Sequence, residues 1–149
     1  MRTGLWLGFI LITASTLTAG DWSQWRGPNQ NGISEDTNLP AMLTSDTQVW
    51  KTSLPVAGQS TPVISGGQVY LSGYDKNSKQ LFAMCLDVKT GKQAWYNGII
   101  EIEKIPRRDI IASPSPAADE TGVVFLYSNG LLLKFDPDGT RLWRRDLLD

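Results

Sequence analysis

From Gln48 to Asp146, short apolar runs alternate with clusters of Gly, Asn, Asp, Ser and Lys. No stretch carries the 3.6-residue apolar stripe of a helix, whereas runs of this length bounded by turn residues read as strands. Residues 60–64, 68–73, 80–88 and 93–97 form one such set, separated by Ser65-Gly66-Gly67, a polar turn over 74–79 and Lys89-Thr90-Gly91-Lys92. After a charged connection, Glu101 to Asp109, a second set follows at 110–118, 123–128, 131–136 and 140–146. Asn129-Gly130 between two apolar runs is the strongest hairpin signal in the chain.

The two sets align. Pro62 answers Pro116, Val69–Leu71 answers Val124–Leu126, Leu86-Asp87 answers Phe135-Asp136, and Gly91 answers Gly139. Trp95 and Trp143 stand 48 residues apart, and Trp50 precedes Trp95 by 45, so Trp50 reads as the tail of an earlier repeat. A period of about 45 residues with four strands per unit is the signature of a propeller blade. The fold class is therefore all-β: blades of four antiparallel strands, about two blades plus one outer strand of an incomplete propeller. Asp87 and Asp136 are placed to close a turn through their carboxylates, as Asx turns do. Gly91 and Gly139 supply a positive φ there. Trp95 and Trp143 sit on outer strands, where a flat side chain fills the gap between blades.

Residues 1–20 are a different material. Arg2, the apolar run Leu5–Ile12 and the small residues up to Thr18-Ala19-Gly20 read as a secretory signal peptide cleaved before Asp21. The apolar run is shorter than the roughly 20 residues of a membrane span, and no Cys follows it for lipid attachment. The expected location is periplasmic or extracellular, with no integral membrane segment after cleavage. Residues 21–46 form an N-terminal loop rich in Gly, Pro and Asn, with Trp22 and Trp25 expected to pack on the domain that follows. Residues 47–149 hold the repeats.

Composition narrows the chemistry. The chain has no His, which removes His-dependent triads and His-ligated metal sites. Formal net charge is −1, so no single-sign field argues for nucleic acid. The lone Cys85 lies among Phe82, Ala83, Met84 and Leu86 and reads as a buried small hydrophobe.

Thr90-Gly91-Lys92 is not a phosphate loop, because Gln93-Ala94-Trp95 continue a strand instead of opening a helix. Asp136-x-Asp138-Gly139 lacks the Gly and Glu that a calcium loop needs at the positions of Arg141 and Leu147, and it reads as a turn. Arg107-Arg108 and Arg144-Arg145 adjoin Asp109 and Asp146 and read as solvated loop charge. Glu101 and Glu103 have no second acid set against them, so no glycosidase pair is argued. No catalytic or metal residue is predicted, and cofactor-binding residues remain unassigned.

Cys85 to Trp95, reading Cys-Leu-Asp-Val-Lys-Thr-Gly-Lys-Gln-Ala-Trp, resembles the tryptophan-docking repeat of the PQQ-like β-propeller family, with Cys85 in place of its first Ala. Phe135 to Trp143 is a copy one residue shorter. The stretch Asp21–Ser34, with its Trp-x-x-Trp-Arg-Gly-Pro, resembles the opening of secreted bacterial members.

The resemblance implies a blade-docking role for Asp87, Thr90, Gly91, Trp95, Asp136, Gly139 and Trp143. It is divided on chemistry. Some members are quinoproteins that bind pyrroloquinoline quinone (PQQ) and calcium; others are protein-binding scaffolds of the envelope. The quinoproteins' adjacent Cys pair cannot exist in this chain, and no calcium-ligating Asp matches a motif.

The expected function is thus a non-enzymatic, exported binding or scaffold module of the bacterial envelope, with a protein or small-molecule partner of unknown identity. The alternatives are the N-terminal part of a PQQ-dependent oxidoreductase, which alone would call for PQQ and calcium, and a self-assembling two-blade module. A closed ring needs at least four blades, about 180 residues. The chain is accordingly expected to belong to a longer propeller, or else to close a ring as a homo-oligomer.

Overall fold

The computed structural model describes residues 20–37, 39–102 and 111–148. The leader, up to residue 19, and most of the charged connection lie outside the described residues. Eight strands form two sheets: β1 (Val63–Ser65), β2 (Gln68–Asp75), β3 (Gln80–Asp87) and β4 (Gln93–Glu101), then β5 (Ala117–Asp119), β6 (Gly122–Leu126), β7 (Leu131–Phe135) and β8 (Arg141–Asp146). Each sheet is an antiparallel meander in chain order, β1-β2-β3-β4 and β5-β6-β7-β8. Among the described residues there is no helix.

The strands follow from local chemistry. Within each blade, β2 or β6 and β3 or β7 are built from Val, Leu, Phe, Tyr and Met, which suit a sheet packed on both faces. Turns are closed by carboxylates: Asp75 Oδ1 accepts from the Asn77 amide at 2.9 Å, and Asp119 Oδ1 from the Thr121 amide at 2.8 Å. Hydrogen bonds from the Thr121 hydroxyl and amide hold the Asp119 carboxyl below the usual aspartate range.

Register corrects the alignment of the repeats. Val69 pairs with Leu86 and Tyr70 with Cys85, while Val123 pairs with Phe135 and Val124 with Lys134. Val69 thus corresponds to Val123 and not to Val124. Counting from Pro62 and Pro116 leads to the same answer, and the match of Val69–Leu71 to Val124–Leu126 is one residue out. A one-residue slip turns every side chain to the opposite face. Tyr70 accordingly points from the first blade toward the second, and Phe125 points from the second toward the first.

The main core lies between the blades. Val63, Tyr70, Tyr74, Leu81, Ala83 and Cys85 from the first sheet meet Val123, Phe125, Tyr127, Leu131, Leu133 and Phe135 from the second, with Ile111 and Ala112 between them. Tyr127 is fully buried and its hydroxyl donates to the Phe82 carbonyl at 2.7 Å, tying the sheets across the core. Burial pushes Tyr127 well above its ordinary pKa and Cys85 up to about 12. Cys85 sits in this core as an inert thiol, as its apolar neighbours indicate.

Two features of the N-terminal part differ from expectation. Among the described residues, 47–54 pair with no strand, so the outer strand expected around Trp50 is present as coil. Trp22 does pack, exchanging backbone hydrogen bonds with Ile64 on β1 at 2.9 Å, and the neighbouring Ser23 carbonyl accepts from Ala118 on β5 at 2.8 Å. The loop therefore straps both inner strands. Trp25, expected to be an anchor as well, is 62% exposed. The Arg26 guanidinium stacks 5.6 Å from its ring, which spares an exposed indole some contact with water.

Candidate functional site

The motif residues assemble at the junction between blades. Asp87 ends β3 and turns the chain: its Oδ1 accepts from the Thr90 hydroxyl at 2.7 Å, the Thr90 amide at 2.8 Å and the Lys89 amide at 3.1 Å. Those bonds, led by the Thr90 hydroxyl, hold the Asp87 carboxyl below the usual aspartate range. Gly91 follows at φ 65° and donates to the Asp87 carbonyl at 2.8 Å. The second turn repeats the arrangement without the Thr. Asp136 Oδ1 accepts from Thr140 at 2.8 Å and Asp138 at 3.1 Å, and Gly139 stands at φ 87°.

Each turn receives a tryptophan from the segment before its blade. Trp95, on β4, donates from Nε1 to the Pro137 carbonyl at 3.0 Å, and its ring lies against Gly139, where a Cβ would come within 2.6 Å of the indole. Trp50 donates to the Val88 carbonyl at 2.8 Å and lies against Gly91, where a Cβ would come within 2.5 Å. Glycine is needed twice over at both positions, for the positive φ and for the approach of the ring. Trp95 is further held by Phe135, stacked at 5.7 Å, by Tyr70 at 6.0 Å and by the edge of Phe125 at 6.4 Å.

Sequence reasoning missed the second half of each contact. Two residues beyond each tryptophan, Thr52 Oγ1 donates to the Gly91 carbonyl at 2.6 Å and Asn97 Nδ2 to the Gly139 carbonyl at 2.7 Å. Gln68 adds a bond from Nε2 to Pro137 at 3.0 Å. The signal for Thr52 and Asn97 was a donor at a fixed offset from Trp, hidden because the residue type changes.

Trp143 lies apart from any turn. It pairs with Lys134 as Trp95 pairs with Cys85, each beside a register shift one residue before the turn Asp, so the two tryptophans are equivalent in their blades. Among the described residues, the Trp143 indole N–H has no hydrogen-bond partner.

The arrangement joins each tryptophan-bearing segment to the turn of the blade that follows it. Gln93 opens β4 as a strand after Thr90-Gly91-Lys92, so no phosphate-binding helix end is formed. The Asp136 carboxylate is directed at backbone amides of its own turn. Among the described residues no three His, Cys, Asp or Glu side chains could together hold a metal ion. An open depression of about 470 Å³ lies beside the N-terminal loop, lined by Trp22, Ile33, Asp21, Glu35 and Asp36 among others.

Four-stranded meanders joined by a tryptophan laid on the next turn's glycine define blades of a PQQ-repeat β-propeller. The chain belongs to the family described as outer membrane protein assembly factor BamB, whose model matches residues 37–149. Among solved structures it is similar to BamB from Moraxella catarrhalis, at 22% identity and TM-score 0.47, over 65% of this chain and 26% of that one. It is also similar to a europium-containing methanol dehydrogenase, at 16% identity and TM-score 0.66, over 87% of this chain and 23% of that one. The chain thus spans about a quarter of either structure, and the second likeness, at its identity, is one of fold. Among curated proteins none matches. No helix among the described residues is long and apolar enough to cross a membrane.

Proposed function

We propose that the chain forms part of an exported, non-enzymatic β-propeller that binds proteins at the bacterial envelope. The observation that carries this reading is membership, over residues 37–149, of a family described as an outer membrane assembly factor. The leader-like residues 1–20 support export. The test has two parts. Deleting the gene in its host should lower the amount of folded, heat-modifiable outer-membrane β-barrel protein, and unchanged levels would sink the assembly reading. Titrating the purified protein with PQQ and calcium should leave the quinone absorbance unchanged. A stoichiometric complex would replace the scaffold with the quinoprotein reading.

A further inference from the structure

Three open depressions border the N-terminal loop. Those of about 470 Å³ and 430 Å³ are lined with acids, Asp21, Glu35 and Asp36 in one and Asp21, Asp119 and Glu120 in the other. The third, of about 350 Å³, lies between the loop and the start of β5, and among the described residues no acid lines it. Its walls are Gln24, Trp25, Arg26 and Gln30 from the loop, with Ser115 and Pro116 from the segment that enters β5. Charge is thus sorted along the loop, and the one cationic side chain in these three linings, Arg26, borders the space that holds no carboxylate.

The backbone under this third site is strained. Arg26 and Gln30 are held in left-handed conformations, at φ 66° and 56°. Glycine takes such angles without penalty, and the same loop uses it at Gly27 and Gly32, at φ 77° and 75°. A long side chain kept at a left-handed position is kept at a cost, and such outliers cluster where the side chain is put to use. For Arg26 part of that use is visible: Nη2 donates to the Asn31 carbonyl at 3.4 Å, and the guanidinium stacks 5.6 Å from the Trp25 ring. For Gln30 none is visible. Its side chain is exposed and, among the described residues, makes no hydrogen bond.

The unspent groups are donors. Arg26 keeps the rest of its donor fork, and the Gln30 amide keeps both N–H groups. The Ser115 hydroxyl oxygen accepts from the Thr61 amide at 3.0 Å, which leaves its O–H to donate. Gln24 is committed through Nε2 to the Pro28 carbonyl at 3.3 Å. A charged planar fork flanked by an amide and a hydroxyl, between an indole and a proline ring, matches a planar anion.

We propose that this depression binds the carboxylate group of a small organic acid, with Arg26 supplying the charge and Gln30 and Ser115 the supporting hydrogen bonds. Its volume suits a small molecule. The assignment is independent of the scaffold reading, because the site uses no residue of the docking turns.

Phenylglyoxal labelling of arginines on the purified protein, read residue by residue by mass spectrometry at constant ionic strength, tests the site. Succinate at about 10 mM should slow labelling of Arg26 about fivefold, as a Kd of about 2.5 mM requires. Exposed Arg144 should label at an unchanged rate, and succinamide, which has the same shape without the charge, should protect neither. Gln30→Gly separates binding from shape. It relieves the left-handed strain, so the urea midpoint should hold or rise, while succinate should bind about threefold more weakly for want of one hydrogen bond. Equal protection of Arg26 and Arg144, no protection of either, or undiminished succinate binding in Gln30→Gly would each overturn the proposal. Stronger protection by phosphate than by succinate would overturn the carboxylate as the group bound. Acetyl-trialanine carries the same carboxylate on a chain end, and stronger protection by it than by succinate would replace the small acid with a polypeptide terminus as the source.

Discussion

The two occupied docking stations make the same pair of hydrogen bonds from different platforms. Trp95 is carried by β4, locked in a ladder with β3, and its ring lies among Tyr70, Phe125 and Phe135. Trp50 is carried by coil, and among the described residues no aromatic ring packs on it as the cluster packs on Trp95. The recognition of a turn by an indole thus needs no strand beneath it. What the strand adds is a fixed position in a core, so the same local contact should carry different weight in stability.

The largest effect should come from removing that ring. Trp95→Ala empties the centre of the aromatic cluster and is expected to cost about 3–5 kcal/mol in urea unfolding, as for large core truncations. Trp50→Ala loses one hydrogen bond and a half-buried ring on coil, about 1–2 kcal/mol. The thiol offers an independent readout. Cys85 is fully buried between the blades with its pKa pushed to about 12, so alkylation at pH 8 requires the blades to part. Labelling should be fast in Trp95→Ala and nearly unchanged in Trp50→Ala. Equal costs and equal labelling would erase the distinction between the stations.

Next come the glycines. Ala at 139 must adopt φ 87° and displace an indole that its Cβ would approach to 2.6 Å; Ala at 91 meets the same two demands, at φ 65° and 2.5 Å. Strained φ alone costs about 1–2 kcal/mol. Gly139→Ala should exceed this, at about 2–4 kcal/mol, because Trp95 cannot retreat from its cluster. Gly91→Ala should cost about 2–3 kcal/mol, the strain plus part of the docking that Trp50 loses as it swings away on its coil. A red shift of Trp95 emission in Gly139→Ala would show the ring leaving its seat.

These two classes of residue also show what was legible in the chain. Gly and Trp were readable because the contact admits no substitute at either place, so the residue type itself repeats. Thr52 and Asn97 were not, because the Gly carbonyl asks only for a donor, and many side chains donate. The slip at β6 has a related cause. Val-Tyr-Leu and Val-Phe-Leu look alike, but strand faces alternate with period two, and resemblance of types cannot tell one face from the other. The count from Pro62 and Pro116 could, because loop length fixes register. Trp25 escaped for the opposite reason: bulk alone promised burial, and the neighbouring Arg26 supplied a stacking partner in solvent instead.

Removing the second donor tests the local contact alone. Asn97→Ala leaves the half-buried Gly139 carbonyl able to take a water, so about 0.5–1.5 kcal/mol is expected, whereas Thr52→Ala leaves the carbonyl of buried Gly91, for about 1–3 kcal/mol. Neither donor touches the aromatic cluster, so the difference reads access to water alone. Equal costs would mean that water reaches both carbonyls equally, which is measurable as equal rescue by Asn97→Ser and by Thr52→Ser.

The smallest effect is electrostatic and separates the turns themselves. Only the first turn holds a Thr between its Asp and Gly, and the Thr90 hydroxyl is the leading cause of the lowered pKa of Asp87. A folded-state value below the unfolded one means that the ionised carboxylate favours the fold. That contribution is present above the ordinary aspartate value of about 3.9 and fades as pH falls through the lowered value. Asp87→Asn keeps an acceptor oxygen but no titration. Its deficit relative to the parent, measured as a urea midpoint, should be steady from pH 6 to about pH 5 and shrink toward pH 3. Thr90→Ala should flatten that dependence by raising Asp87 back toward its ordinary value. Other lowered carboxylates, Asp36, Asp75 and Asp119, act equally in parent and variant, so the difference between the two curves isolates this turn. A deficit that stays constant down to pH 3 would show that the Asp87 side chain holds the turn by shape and not by charge.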